Sequence, residues 1–265
     1  MADFTSDGSK IHYTDTGGDG APVLLLHAFP LNAGMWQPQI DSLGDKYRMI
    51  ALDFRGFGGS EAKGGQSSFT VENLADDAKA LLDELGIDQV VLAGLSMGGY
   101  VALAFMRKYS DRVKALVLAD SKAEADAQAA LEKRTSQQQM VASEGTAGLI
   151  KALPGALLGA TTQDKKPDVV AEAAALMDNS PAGFIGALEA MKTRPDSTEI
   201  LSSFKVPTLV IVGEEDGVTP PDLSRKMHEH IGGSQLVVIP EAGHLSSLES
   251  PEVFNGALAD FLDSL

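Results

Sequence analysis

The sequence contains no cysteine, and this absence removes several kinds of chemistry. Disulfide bonds, thiolate nucleophiles and cysteine-based metal sites are all excluded. Basic residues are also few, since 21 lysines and arginines stand against 37 acidic residues and give a formal net charge of −16. Long-range repulsion then disfavours nucleic acids and anionic membranes as partners and leaves small neutral molecules as the easier ligands. The carboxylates are scattered along the chain, so solubility accounts for them.

The chain also lacks any apolar run long enough to span a membrane. Residues 1–7 contain no basic region followed by an apolar stretch, which a secretory leader would require. We therefore expect a cytoplasmic protein without a membrane partner, present as a monomer or homodimer.

The 265 residues suit one large α/β domain or a domain that carries an insertion. Short apolar runs alternate with longer helical patterns, which is typical of a mostly parallel sheet with helices on both faces. We expect about eight strands, of which the first form a hairpin near residues 11–14. The other strands are expected near 23–27, 49–53, 90–93, 115–119, 208–212 and 236–239, and helices near 33–44, 72–85, 97–108, 222–231 and 251–263.

The alternation of strands and helices stops after Ala119. Residues 121–203 contain no convincing strand, and the helical patterns are 123–140, 169–177 and 181–192. The pattern predicts a helical lid, or cap, of residues 121–203 inserted into a core of residues 1–120 and 204–265. Such an insertion would cover the carboxyl ends of the strands, where open α/β sheets bind ligands. A structural layer without a role in binding is the alternative.

One serine lies where a predicted strand meets a predicted helix. The motif Gly94-Leu95-Ser96-Met97-Gly98-Gly99 follows the apolar run at 90–93 and precedes a helical pattern. A serine at the apex of such a sharp turn has a strained backbone and an exposed hydroxyl, as a nucleophile requires. A glycine-rich turn without chemistry is the alternative, but the flanking strand and helix favour the nucleophile.

A serine hydroxyl needs a base to accept its proton, and five histidines are available. His244 follows the last predicted strand, at the edge of the sheet expected to hold the serine. His228 and His230 belong to a polar helical pattern, and their spacing of two residues points their rings in different directions and makes a poor metal site. His12 lies on the distant hairpin, while His27 precedes a loop that it is expected to shape. His244 is therefore the predicted base.

The base needs an acid to orient it, and carboxylates follow the strand at 208–212. Of the three residues from Glu214 to Asp216, Asp216 is favoured because it lies deepest in the loop. Asp120, at the end of its own strand, is the second candidate. The order Ser96, Asp216, His244 is the chain order expected for a triad on this kind of sheet.

Together these motifs resemble the α/β-hydrolase superfamily over nearly the whole chain. The resemblance implies an α/β-hydrolase fold in which the backbone N–H groups of Phe29 and Met97 form an oxyanion hole. The usual first motif of the family is His-Gly-x-Pro, but Ala28 replaces the glycine here. Asp53 and Arg55 match residues that brace the family's structure without a chemical role. The matching segments are 27–30, 53–60, 94–99, 213–216 and 243–244.

A serine at this position implies carbonyl substrates, because relatives that cleave carbon–halogen bonds or epoxides carry aspartate there. The chain looks most like small bacterial carboxylesterases and 3-oxoadipate enol-lactonases, with acyl-homoserine-lactone hydrolases as a close variant. The resemblance implies a serine carboxylesterase or lactonase that acts on a small-molecule ester or lactone with no metal or cofactor. Arg134 and Arg194 are isolated in the sequence and do not demand a dicarboxylate substrate. The apolar lid residues suit either a medium-sized apolar group or a lid core; they include Met140, Leu176, Met177, Phe184 and Met191.

Two other functions remain open at this point. Some members of the superfamily sense a ligand with an intact triad and signal through the lid. Others are lyases that use the serine and histidine to move a proton, often with a lysine or threonine near the histidine. Residues 245–248 supply no lysine, so the lyase is the least favoured.

Overall fold

A single eight-stranded sheet forms the centre of the computed structural model, which describes all residues from 1 to 265. The strands are β1 (Ala2–Ser6), β2 (Ser9–Asp15), β3 (Pro22–Leu26), β4 (Arg48–Leu52), β5 (Val90–Leu95), β6 (Val113–Ala119), β7 (Thr208–Gly213) and β8 (Gln235–Ile239). They lie in the order β1-β2-β4-β3-β5-β6-β7-β8. The β1–β2 and β2–β4 pairs are antiparallel, and all other pairs are parallel. The expected mostly parallel sheet is confirmed.

The two faces of the sheet are covered by separate hydrophobic clusters. In β3, Leu24 and Leu26 belong to one cluster, whereas Val23 and Leu25 belong to the other, as the alternation of side chains along a strand requires. Burial on both faces explains why the central strands are continuous apolar runs. Helices α2 (Val71–Glu84) and α3 (Met97–Tyr109) supply the first cluster, and helix α1 (Gln37–Leu43) contributes to the second.

Between β6 and β7 the chain forms only helices and turns. The six α-helices are α4 (Gln128–Glu144), α5 (Ala147–Ala152), α6 (Pro154–Leu157), α7 (Ala160–Lys165), α8 (Pro167–Leu176) and α9 (Pro181–Thr193). Helix α4 begins five residues later than its pattern predicts, because Asp126 and the N–H of Ala125 make hydrogen bonds outside a helix. The short helices α5 to α7 were not predicted, since glycine and proline interrupt their periodicity.

The chain closes with two further helices of the core and one short turn of helix between them. Helix α10 (Pro221–His230) lies between β7 and β8, and α11 (Ser246–Glu249) and α12 (Pro251–Asp263) follow β8. Ser250 and Pro251 occupy the start of α12. A backbone N–H in the first turn of a helix has no acceptor within the helix, so proline, which lacks this group, is tolerated there. None of the helices in this chain has both the length and the apolar character that crossing a bilayer requires.

Candidate active site

Ser96 alone makes the turn between β5 and α3. Its backbone has φ +55° and ψ −112°, a left-handed conformation that costs a non-glycine residue about 1–3 kcal/mol. Two hydrogen bonds secure the turn: its N–H donates to the carbonyl of Ala119 at 2.9 Å, and its carbonyl accepts from Ser121 Oγ at 2.9 Å. The surrounding structure therefore holds the serine in a strained position at the end of the central strand.

The glycines of the motif allow the backbones around Ser96 to approach closely. A Cβ placed on Gly94 would lie 2.2 Å from the carbonyl oxygen of Gly98. A Cβ placed on Gly98 would lie 2.1 Å from the carbonyl oxygen of Leu26 in β3. Both separations are far below van der Waals contact, so these two positions exclude any side chain.

His244 lies on the loop that follows β8 and is almost fully buried. Its Nε2 is 2.7 Å from Ser96 Oγ, and its Nδ1 is 2.9 Å from Asp216 Oδ2. An ionised carboxylate only accepts hydrogen bonds, so Nδ1 carries the proton and the lone pair of Nε2 faces the serine hydroxyl. The N–H of His244 also donates to the carbonyl of Leu157 at 2.8 Å, which joins this loop to the inserted helices.

Asp216 is buried on the loop after β7 and accepts hydrogen bonds with both oxygens. Oδ1 accepts from the N–H groups of Val218 and Thr219, each at 2.8 Å, and Oδ2 accepts from Thr219 Oγ1 at 2.7 Å as well as from His244. Burial raises the pKa of Asp216, but attraction to His244 and the hydrogen bonds from His244 and Thr219 outweigh it and hold that pKa below its usual value. Asp216 is therefore a fixed negative charge behind the imidazole.

Two backbone N–H groups near Ser96 are free to bind an oxygen atom. The N–H of Phe29 donates no hydrogen bond within the chain, and Phe29 lines the same cavity as Ser96. Met97 is the first residue of α3, so its N–H has no acceptor within the helix. Ala28 is not among the residues with positive φ, so the family's glycine is not needed for this loop conformation.

His27 shapes the loop that carries Phe29. Its Nδ1–H donates to the carbonyl of Ala28 at 2.9 Å, and its Nε2 accepts from the N–H of Phe54 at 3.0 Å. Complete burial lowers the pKa of His27 to about 4, and the nearby Asp53 opposes this effect only in part. The neutral ring therefore makes both bonds at ordinary pH.

The other three histidines lie away from this site. His12 contacts the carboxylate of Asp3 at 2.5 Å on the first hairpin, and His228 contacts Ser234 Oγ at 2.8 Å. His230 is exposed and bonds a carbonyl of its own helix. No group of three or more histidine, aspartate or glutamate side chains is arranged to hold a metal ion.

Comparison with known proteins identifies the family of this chain. A family model described as the alpha/beta hydrolase fold matches residues 21–251. The chain belongs to the α/β-hydrolase family. This hydrolase is 29% identical to 3-oxoadipate enol-lactonase 1 of Acinetobacter baylyi over 260 residues, which are 97% of the chain and 95% of that protein.

Solved structures agree with this assignment. A thermophilic esterase from Thermogutta terrifontis, solved with malate bound, is 40% identical and superposes with a TM-score of 0.93, covering 97% of this hydrolase and 94% of the esterase. The enol-lactonase from Burkholderia xenovorans is 27% identical, with a TM-score of 0.91 and coverage of 99% and 100%. The fold and the resemblance inferred from the sequence are thus confirmed.

Asp120, the second candidate acid in this hydrolase, makes no hydrogen bond or ion pair with His244. Its Oδ1 accepts from the N–H of Gly213 at 2.8 Å, and its Oδ2 accepts from the N–H of Ser246 at 3.1 Å and from Ser246 Oγ at 2.6 Å. Burial and the neighbouring Asp216 raise the pKa of Asp120 well above its usual value. Asp120 therefore ties together the two loops that carry Asp216 and His244.

Asp53 and Arg55 brace the hydrolase, as the resemblance implies. The Asp53 carboxylate accepts from the N–H of Ala33 at 2.7 Å and of Gly59 at 2.9 Å. Arg55 forms a buried bidentate ion pair with Asp77, in which Nε lies 2.6 Å from Oδ2 and Nη2 lies 2.8 Å from Oδ1. Neither side chain lines the cavity at Ser96.

Three hydroxyl groups that support these residues of the hydrolase are not predicted from the sequence. Thr219 bonds Asp216, Ser121 bonds the carbonyl of Ser96, and Ser246 bonds Asp120. Each one follows a strand-end motif by a few residues, which is the only signal that the sequence carries for it. Such residues are otherwise indistinguishable from the serines and threonines of ordinary loops.

A cavity of about 320 Å³ opens beside Ser96 and His244, at the lower end of the volumes usual for small-molecule sites. Its apolar wall includes Phe29, Leu153 and Met191. The other apolar residues named from the sequence of this segment do not line the cavity. Met140 is 38% exposed, Leu176 is partly buried, and Met177 and Phe184 are buried in the hydrophobic clusters. Part of the wall is charged, because Lys122, Asp126, Lys133 and Arg134 also line the cavity.

Proposed function

We propose that this hydrolase cleaves small carboxylic esters or lactones by acyl transfer through Ser96. The observation that carries the proposal is the continuous line of hydrogen bonds from Ser96 Oγ through His244 to Asp216, with distances of 2.7 and 2.9 Å, at the wall of a cavity. The similarity to esterases and enol-lactonases supports the same chemistry.

In the first half of the reaction, Ser96 Oγ attacks the substrate carbonyl while its proton moves to His244 Nε2. The carbonyl oxygen becomes an oxyanion, which the N–H groups of Phe29 and Met97 stabilise. When the tetrahedral intermediate collapses, the bond between the carbonyl carbon and the leaving oxygen breaks. The proton on Nε2 passes to that oxygen and leaves an acyl group on Ser96.

In the second half, water attacks the acyl group as Nε2 accepts one of its protons. The same N–H groups hold the second oxyanion, and collapse returns the proton to Ser96 Oγ and releases the acid. Asp216 stays ionised throughout and stabilises the imidazolium that forms twice per cycle.

The proposal is tested by steady-state hydrolysis of aryl esters of increasing acyl length and of several lactones. We expect multiple turnovers by the wild type and a loss of at least about a thousandfold in kcat for Ser96→Ala. Ser203→Ala is the matched control, since Ser203 is exposed and lies outside the cavity. A single slow turnover that alters the inserted helices would favour a ligand sensor, and full activity of Ser96→Ala would exclude the mechanism.

A further inference from the structure

Three cationic side chains, those of Lys122, Arg134 and Arg194, meet at one buried carboxylate. The Asp126 side chain is 1% exposed. Its Oδ1 lies 2.8 Å from Arg194 Nη2 and 3.4 Å from Lys122 Nζ, and its Oδ2 lies 2.5 Å from Arg134 Nε. Arg134 and Arg194, which are isolated in the sequence, therefore belong to one cluster.

This cluster of Lys122, Asp126, Arg134 and Arg194 carries a surplus of positive charge. Three cations against one carboxylate leave two positive charges, although the chain as a whole has a net charge of −16. Burial raises the pKa of Asp126, but hydrogen bonds from Arg194 and Arg134 outweigh it and keep the carboxylate ionised. One arginine is enough to neutralise the charge of Asp126. The other two cations are therefore not needed to balance a charge within the protein.

Arg194 has a structural position within the cluster. Its Nη1 donates to the carbonyl of Met191 at 2.6 Å, and its Nη2 also donates to the carbonyl of Glu124 at 2.9 Å. Its guanidinium lies 4.0 Å from the ring centroid of Tyr100, in a cation–π contact. Arg194 thus binds groups of the protein itself, and it does not line the cavity.

The remaining cations are available to a ligand. The only hydrogen bond that Arg134 makes with the chain is from Nε to Asp126, so its two Nη groups have no hydrogen-bond partner in the protein. Arg134, Lys122 and the exposed Lys133 all line the cavity that contains Ser96 and His244. A guanidinium with two free, adjacent donor groups matches the geometry of a carboxylate.

We propose that the preferred ester or lactone carries a carboxylate, which binds Arg134 with help from Lys122 and Lys133 while Ser96 attacks the carbonyl. This inference rests on the proposed function and adds a substrate class to it. The local positive field attracts an anion that the overall charge of the protein would repel.

The test compares substrates that differ only in this charge. One pair is the para-nitrophenyl monoester of hexanedioic acid and its primary amide, which places the charge on the acyl side. The other pair is the acetate ester of para-hydroxyphenylpropanoate and its primary amide, which places the charge on the leaving group. We expect kcat/KM to favour the carboxylate at least tenfold in one of the two pairs, and we expect added salt to weaken this preference.

Substitutions then locate the preference. Arg134→Gln is expected to reduce the carboxylate-to-amide ratio of kcat/KM about tenfold, and Lys133→Gln is expected to reduce it less. Lys133 makes no ion pair, so its variant still tests the inference if Arg134→Gln fails to fold. Arg225→Gln is the matched control, because Arg225 is exposed on α10 and does not line the cavity.

The outcomes separate this inference from the proposed function. Hydrolysis of all four esters without a preference for the carboxylates would overturn the inference and leave the esterase proposal in place. A preference that persists unchanged in both variants would also overturn it. Failure of the folded wild type to hydrolyse any of the four would count against both proposals.

Discussion

Replacing His27 by glutamine should change how the stability of the protein depends on pH. The folded state holds the pKa of His27 at about 4, against an ordinary value of 6.5, because the ring is completely buried. Between these two values the unfolded chain binds a proton that the folded protein does not, so acidification favours unfolding. The neutral ring therefore stabilises the fold fully above pH 6.5, and this contribution is lost as the pH falls towards 4. At about 1.4 kcal/mol per pKa unit the full loss is about 3.5 kcal/mol, of which about 3 kcal/mol is reached at pH 4, where the folded ring is half protonated.

The assay is urea denaturation of the wild type and His27→Gln, in half-unit steps from about pH 7 to about pH 4. Glutamine cannot titrate, and its oxygen can still accept from the N–H of Phe54. Other groups titrate alike in both proteins, so the difference between the two curves isolates His27. We expect the free energy of unfolding to fall about 3 kcal/mol further in the wild type than in the variant. Parallel curves would refute the account of His27 as a buried neutral ring that shapes the Phe29 loop.

Two further substitutions test the supports of the site. Gly94→Ala should lower the free energy of unfolding by more than about 3 kcal/mol, because its Cβ would lie 2.2 Å from the carbonyl oxygen of Gly98. A thermal denaturation midpoint equal to that of the wild type would contradict the close approach of the two backbones. Asp120→Asn replaces one accepting oxygen by a donor, so either Gly213 or Ser246 loses its partner, at a cost of about 1–3 kcal/mol. We expect kcat to fall while KM changes little, and an unaltered kcat would argue against a positioning role.

The parts of the structure that could be predicted are those with a local signature. Ser96 is recognisable because the strand, the glycines and the helix are consecutive in the chain, and Asp216 and His244 each follow an apolar strand directly. The alternation of strands and helices similarly predicts the sheet, since burial on both faces produces continuous apolar runs.

The parts that could not be predicted depend on contacts between distant segments. Arg134 and Arg194 are isolated in the sequence, and nothing in it indicates that Asp126 brings them together. Asp120 also follows a strand and is the second candidate acid from the sequence, but in the folded protein it binds Ser246, whereas Asp216 binds His244. The position of a carboxylate after a strand predicts the edge of the sheet where it lies. The residue that it binds there depends on how the loops pack.

The most direct test of the central claim is the site of covalent labelling by a fluorophosphonate, mapped by peptide mass spectrometry. A fluorophosphonate reacts with a serine only where a neighbouring base activates the hydroxyl. We predict one adduct per chain, located on Ser96, no adduct in Ser96→Ala and much slower labelling in His244→Ala. Labelling of another residue, or equal labelling of Ser96→Ala, would contradict the assignment of Ser96 as the nucleophile.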